Sequence, residues 1–169
     1  IFRRTFSVDN DYMFKVVDEV ENKTNAEVAL LPYARIHRYG IPKGTPFYIL
    51  HEGLIGVAGD QGLKELTYAN AVAAGIPETY ENVTGGWFGI TDKYWAAALI
   101  PDQKEPFRAM MSAVKAKAPG EQDAFQADYL RGAIAIPPNA RKGVEAHLYA
   151  GAKQATVIDK YESVLGIKL

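Results

Sequence analysis

The sequence contains no cysteine, only three histidines and two tryptophans, and no excess of charge of either sign. Without cysteine there is no disulfide framework, no thiolate-ligated zinc or iron–sulfur site and no thiol nucleophile. The redox compartment stays open, because a disulfide-free chain suits either side of a membrane. With 19 Lys+Arg against 20 Asp+Glu the net charge is -1, so no global field draws the chain to nucleic acid or to an anionic membrane. Long apolar runs are missing too. The greasiest stretch, Trp95–Pro101, is of strand length, well short of the roughly 18 residues that span a bilayer. The chain has no G-x-S-x-G elbow, P-loop, G-x-G-x-x-G fingerprint or H-E-x-x-H pair. What remains is 169 residues, 48% hydrophobic and 23% charged, the composition of one folded globular domain.

Period two dominates the pattern. Phe2, Arg4, Phe6 and Val8 alternate with polar neighbours, and after the turn Asp9-Asn10-Asp11 so do Tyr12, Phe14, Val16 and Val20. Glu27–Tyr39 predicts a third strand, and the three together predict a meander. Two Pro and two Gly within 40–46 predict a rigid loop. Further strands are expected at 47–57, 63–68 and 107–118, with 125–136 and 143–149 pairing around a Pro-rich turn. Glu78–Gly86 is expected to be exposed and polar. One helix is expected, over Gln154–Leu165, with Val157, Ile158, Tyr161 and Val164 on its apolar face and Gly166 as its stop. The fold class is therefore mainly β, with antiparallel sheets in 1–153 and a C-terminal amphipathic helix in 154–169. The chain starts at Ile1 directly in a strand pattern and stops without a polar tail, so it is expected to be a domain of something larger.

Candidate chemistry is sparse. His37, His51 and His147 fall on separate strands, and Glu52 beside His51 does not make a metal-binding spacing; neither a metal nor another cofactor is expected. Asp60, Glu65, Asp92 and Glu145 offer carboxylates in the sense that any sandwich does. Arg35, His37 and Arg38 between Tyr33 and Tyr39 would suit an anion, yet a wetted sheet face explains them, and no nucleic-acid partner is expected. Asn22-Lys23-Thr24 and Asn82-Val83-Thr84 match the glycosylation pattern, a weak pointer to a secreted adhesion domain. In Gly86–Pro101 the expectation is a hairpin turning at Thr91-Asp92-Lys93, with Asp92 and Lys93 exposed and Trp87 and Trp95 buried. Candidate partner or ligand contacts are Val157, Ile158, Tyr161, Trp87, Tyr94 and Trp95. The aromatic residues among them carry the alternative reading of a carbohydrate-binding or mutarotase-like domain.

Four segments, FRRTFSVDNDYMFKVVDEVENKT (2–24), LLPYARIHRYGIP (30–42), FYILHEGLIGVAGD (47–60) and GGWFGITDKYWAAALIPDQ (85–103), resemble the large periplasmic domain of bacterial members of the YidC/Oxa/Alb membrane protein insertases. YAGAKQATVIDKYESVLGIKL (149–169) resembles the place where that domain's last strand passes into a helix ahead of a transmembrane segment, which this chain does not contain. The resemblance implies a β-supersandwich of the galactose-mutarotase-like kind whose first strands are missing here, leaving edges or an inner face exposed. It implies a non-enzymatic accessory domain on the periplasmic side of the bacterial inner membrane, within a membrane-embedded protein. The implied partners are membrane-protein substrates and components of the Sec translocon. Insertion belongs to membrane helices outside this chain, so no insertase residue maps onto it.

Overall fold

The computed structural model describes residues 1–43 and 51–167. Among these residues thirteen strands and two α-helices follow one another: β1 (Phe2–Val8), β2 (Met13–Glu21), β3 (Val28–Leu30), β4 (Tyr33–Tyr39), β5 (Gly53–Ala58), β6 (Leu63–Thr67), α1 (Tyr68–Ala74), β7 (Glu78–Val83), β8 (Gly86–Thr91), β9 (Trp95–Ile100), β10 (Phe107–Val114), β11 (Ala124–Arg131), β12 (Ile134–Ile136), β13 (Arg141–Ala152) and α2 (Ala155–Leu165). A seven-stranded sheet in the order β1-β2-β13-β9-β8-β5-β6 lies against a four-stranded sheet, β4-β11-β10-β7; β12 and β3 form a separate pair. Neighbouring strands run antiparallel. Antiparallel sheets with one dry face explain the period-two pattern.

The main core lies between the sheets. Leu54, Phe88, Ile90 and Leu99 from the larger sheet meet Phe107, Met111, Phe125 and Tyr129 from the smaller. Phe107 stands edge-on to both Phe88 and Tyr129, the arrangement the ring quadrupole favours. The glycines of β8 are dictated by close approach. Gly86 has φ +106°, and a Cβ there would lie 1.9 Å from the Val57 carbonyl oxygen. At Gly89 a Cβ would lie 2.0 Å from the Ala97 oxygen, so neighbouring strands leave no room for any side chain.

Several expectations are corrected. The stretch 27–39 is two strands, because Leu31-Pro32 interrupts it and Pro32 has no N–H for the ladder. The first strands are not a meander: β2 pairs with β13, while β3 and β4 join β12 and β11. β11 and β13 do not pair with each other either. Glu78–Val83 is largely exposed as expected, and the structure adds that it is a strand paired with β10. The forward part of the strand expected at 47–57 lies outside the described residues. α2 begins one residue late and ends as expected on Gly166 in the left-handed conformation. Val164 is 69% exposed, not packed on the sheet. It sits three residues beyond Tyr161, which alone among the residues of α2 is fully buried.

Strand β1 closes no ladder on its outer side, and its whole length is exposed. Phe2 and Phe6 point with Arg4 into an open cleft toward Tyr33. Such an edge invites strand addition. The 169-residue chain is therefore expected to self-associate at high concentration, and Phe6→Pro should reduce this, because Ile1 and Asp9 donate to Glu21 and Met13 and the even-numbered residues of β1 thus turn their N–H groups to the open edge. Sedimentation velocity of the two chains, with circular dichroism to verify folding, checks it.

Candidate functional site

The outer face of the larger sheet is covered by α2. Met13, Trp87, Ala98, Ile100 and Tyr149 pack with Tyr161 of the helix and with Ile167 beyond it. Tyr161 is 3% exposed and Trp87 7%. Helices this short are marginal alone, so packing decides whether α2 forms. Between helix and sheet remains an apolar cavity of about 300 Å³, lined by Met13, Ile55, Trp87, Ile100, Ile158 and Tyr161 among others. Lys153 is its one charged lining residue among those described. Val157, Ile158, Tyr161 and Trp87 are thus brought together on one face. Tyr94 and Trp95 lie elsewhere.

Polar ties hold α2 in place. The Tyr161 hydroxyl donates to Asp9, and Lys160 pairs with Asp11, both on the turn between β1 and β2. Burial pushes the Tyr161 phenol up, and the hydrogen bond to Asp9 adds to it. Burial also pushes Asp9 up, but donation from Tyr161 and from the Met13 and Asp11 N–H groups, with the Lys160 charge, outweighs it. The net pKa of Asp9 is lowered in the folded chain. A depressed carboxylate stabilises above its unfolded pKa of about 3.9 and loses that contribution as pH falls through the folded value. Docking of α2 should therefore weaken below about pH 4, and Asp9→Asn should flatten that dependence. Amide exchange of α2 against pH measures it.

The other end of the notable chemistry is the β8–β9 hairpin. Its turn forms where the sequence places it, with the Asp92 N–H bonded to the Trp95 oxygen at 2.8 Å. Trp87 is buried as expected, but Trp95 and Asp92 exchange the exposures expected of them. Trp95 is 61% exposed and Tyr94 is exposed as well, while Asp92 is engaged by two elements. The Tyr68 hydroxyl at the start of α1 donates to Asp92 Oδ1 at 2.7 Å, and Arg38 of β4 pairs with Oδ2. The Arg38 guanidinium also lies 5.5 Å from the centre of the Tyr68 ring and donates to the Gly40 oxygen at 2.9 Å. Burial drives the Tyr68 phenol upward, reinforced by Asp92. Trp95 opens β9, where Ile36 and Arg38 of the opposing sheet line the same shallow cleft. Sequence reasoning missed Arg38 and Tyr68 as partners. Their one signal was that Ala34, Ile36 and Arg38 share a parity, which puts Arg38 on the inward side of β4.

The remaining nominees are dispersed. Tyr33, Arg35, His37 and Tyr39 occupy the exposed parity of β4, and Arg38 does not. His51 bonds the Leu54 oxygen at 2.9 Å, and His147 lies near Glu145. Burial lowers the His147 pKa, the Glu145 charge opposing it. Asp60 and Glu65 are exposed, and Glu145 pairs with Lys15. Among the described residues no three metal-ligating side chains cluster. Asn22 is 4% exposed, its amide donating to the Ala26 and Ile136 oxygens at 2.8 Å each. A glycan there would break that network.

Two packed antiparallel sheets with a helix on the outer face define a β-supersandwich. The structure is similar to the galactose mutarotase related enzyme of Lactobacillus acidophilus, with a TM-score of 0.59 at 11% identity over 91% of this chain and 62% of that one; this is a likeness of fold. The family described as the YidC periplasmic domain matches residues 1–167, and the chain belongs to it. It is 46% identical over 99% of its length to a membrane protein insertase YidC of Methylobacterium nodulans, and 42% identical over 98% to that of Rhizobium meliloti. It spans 28% and 27% of those proteins. The domain is periplasmic.

Proposed function

We propose that the domain serves as the accessory periplasmic part of an inner-membrane protein insertase, assisting insertion and folding of membrane proteins through protein–protein contacts. The observation that supports this best is the family match along residues 1–167, joined to a terminal helix held by specific ties. A helix fixed by Tyr161 and Lys160 to the sheet transmits position between the sandwich and whatever follows it. Membrane-protein segments emerging beside the domain, and components of the Sec translocon, are the partners this reading carries. The test is insertion by a full-length relative bearing the equivalent of Tyr161→Ala. Insertion of a reporter membrane protein should fall while the protein itself still accumulates; unchanged insertion with α2 detached would refute the role of the helix.

The carbohydrate reading has one favourable observation, the exposed Trp95. Its polar neighbours Arg38 and Asp92 are already bound to each other and to Tyr68, and Trp87 lies under α2. Among the described residues no convergent set of open polar groups stands beside the ring.

A further inference from the structure

Exposed aromatic residues gather at one end of the sandwich. The pairing of Trp95 with Ala152, and of Met13 with Tyr149, puts the start of β2, the end of β13 and the start of β9 at the same end. Arg38 and Asp92 join the end of β4 to it. Tyr12, Tyr94, Trp95 and Tyr39 are all exposed there. Tyr12 holds φ +67°, a conformation that costs a non-glycine residue energy and turns its ring outward beside Gly151. Lys93 lies over the Tyr94 ring, 5.0 Å from its centre. The Lys153 N–H bonds the Tyr94 oxygen at 2.8 Å, and its half-buried side chain, at the edge of the strand end where it also lines the cavity under α2, joins no ion pair among the described residues. Of the nearby carboxylates, Asp92 is engaged by Arg38 and Asp9 and Asp11 by Lys160, whereas Glu52, close enough to act on Tyr68, joins no ion pair among the described residues.

We propose that this end of the domain rests on the lipid headgroup layer, with Tyr94 and Trp95 as anchors and Lys153 beside anionic headgroups. Tyrosine and tryptophan present an apolar body and a polar handle, which suits the interface between hydrocarbon and water better than either phase. A lysine within reach adds attraction to anionic lipid over roughly one Debye length. A net charge of -1 does not oppose this, because the relevant charges sit locally at the tip. The inference rests on the reading of the domain as working beside a membrane, and it adds which surface faces the lipid.

The 169-residue chain is mixed with vesicles of phosphatidylcholine, with and without about a quarter phosphatidylglycerol. Binding is read for every variant by cosedimentation with the vesicles, and in the unsubstituted chain a blue shift of tryptophan emission reports Trp95, because Trp87 is buried. Binding is expected, stronger with the anionic lipid, and should fall about tenfold or more in Tyr94→Ala/Trp95→Ala. Lys153→Glu should remove the preference for anionic lipid, while Phe2→Ala, at the opposite end of β1, should change nothing. Failure to bind, or binding that the double variant retains, overturns the proposal. So does a Trp95-dependent dimer in sedimentation, or an emission shift produced by sugars and not by vesicles. If vesicles fail while the α2 variant still loses insertion, only the lipid contact is wrong and the accessory role stands.

Discussion

Asp92→Ala should destabilise the domain by about 2–4 kcal/mol, whereas Trp95→Ala, three residues on, should cost less than about 1 kcal/mol. The aspartate accepts from Tyr68 and pairs with Arg38, joining the hairpin of one sheet to the edge strand of the other and to α1. Removing it leaves a buried phenol and a largely covered guanidinium without their acceptor, which is costlier than removing all three groups together. The pair retains some water contact, and this keeps the effect below that of a fully buried ion pair. Trp95 has little area to lose. Urea titration of both variants gives the ranking. The same loss from both would mean the tryptophan is covered in solution. Arg38→Met should cost less than Asp92→Ala, since it removes the charge that the aspartate satisfies and keeps the methylene packing.

Tyr161→Ala should cost about 3–5 kcal/mol of helix docking, enough to free α2 from the sheet. The side chain is fully covered, packs at 6.1 Å ring to ring on Tyr149, and ties the helix to Asp9. Tyr161→Phe keeps the ring and drops only the hydroxyl, so about 1 kcal/mol is expected. Val164→Ser, on the exposed side, should be neutral. Hydrogen exchange of the 155–165 amides, read against those of β8, separates local detachment from global unfolding. Loss of protection in both regions for Tyr161→Ala would mean that α2 is part of the cooperative core.

Sequence alone determined the elements whose signal is local. Alternation at 2–8 and 13–21 marked β1 and β2, the spacing of Val157, Ile158 and Tyr161 with Gly166 beyond marked α2, and Thr91-Asp92-Lys93 marked the turn of the β8–β9 hairpin. The long run 85–103 carried the family, and its glycines are explained by strand neighbours at Val57 and Ala97 that no local pattern displays. Only the tertiary structure decided the partners. β13 inserts between β2 and β9 from far along the chain, and no periodicity encodes which of several similar strands lies next to it. The site divides in the same way. Trp87 and Tyr161 were legible as apolar positions, but that they share one cavity depends on α2 folding back across five strands. Asp92 read as a solvated turn residue because its partners, Arg38 and Tyr68, lie 54 and 24 residues away. Burial of a charged group is a property of what closes over it, and in this protein the second sheet and α1 do that closing.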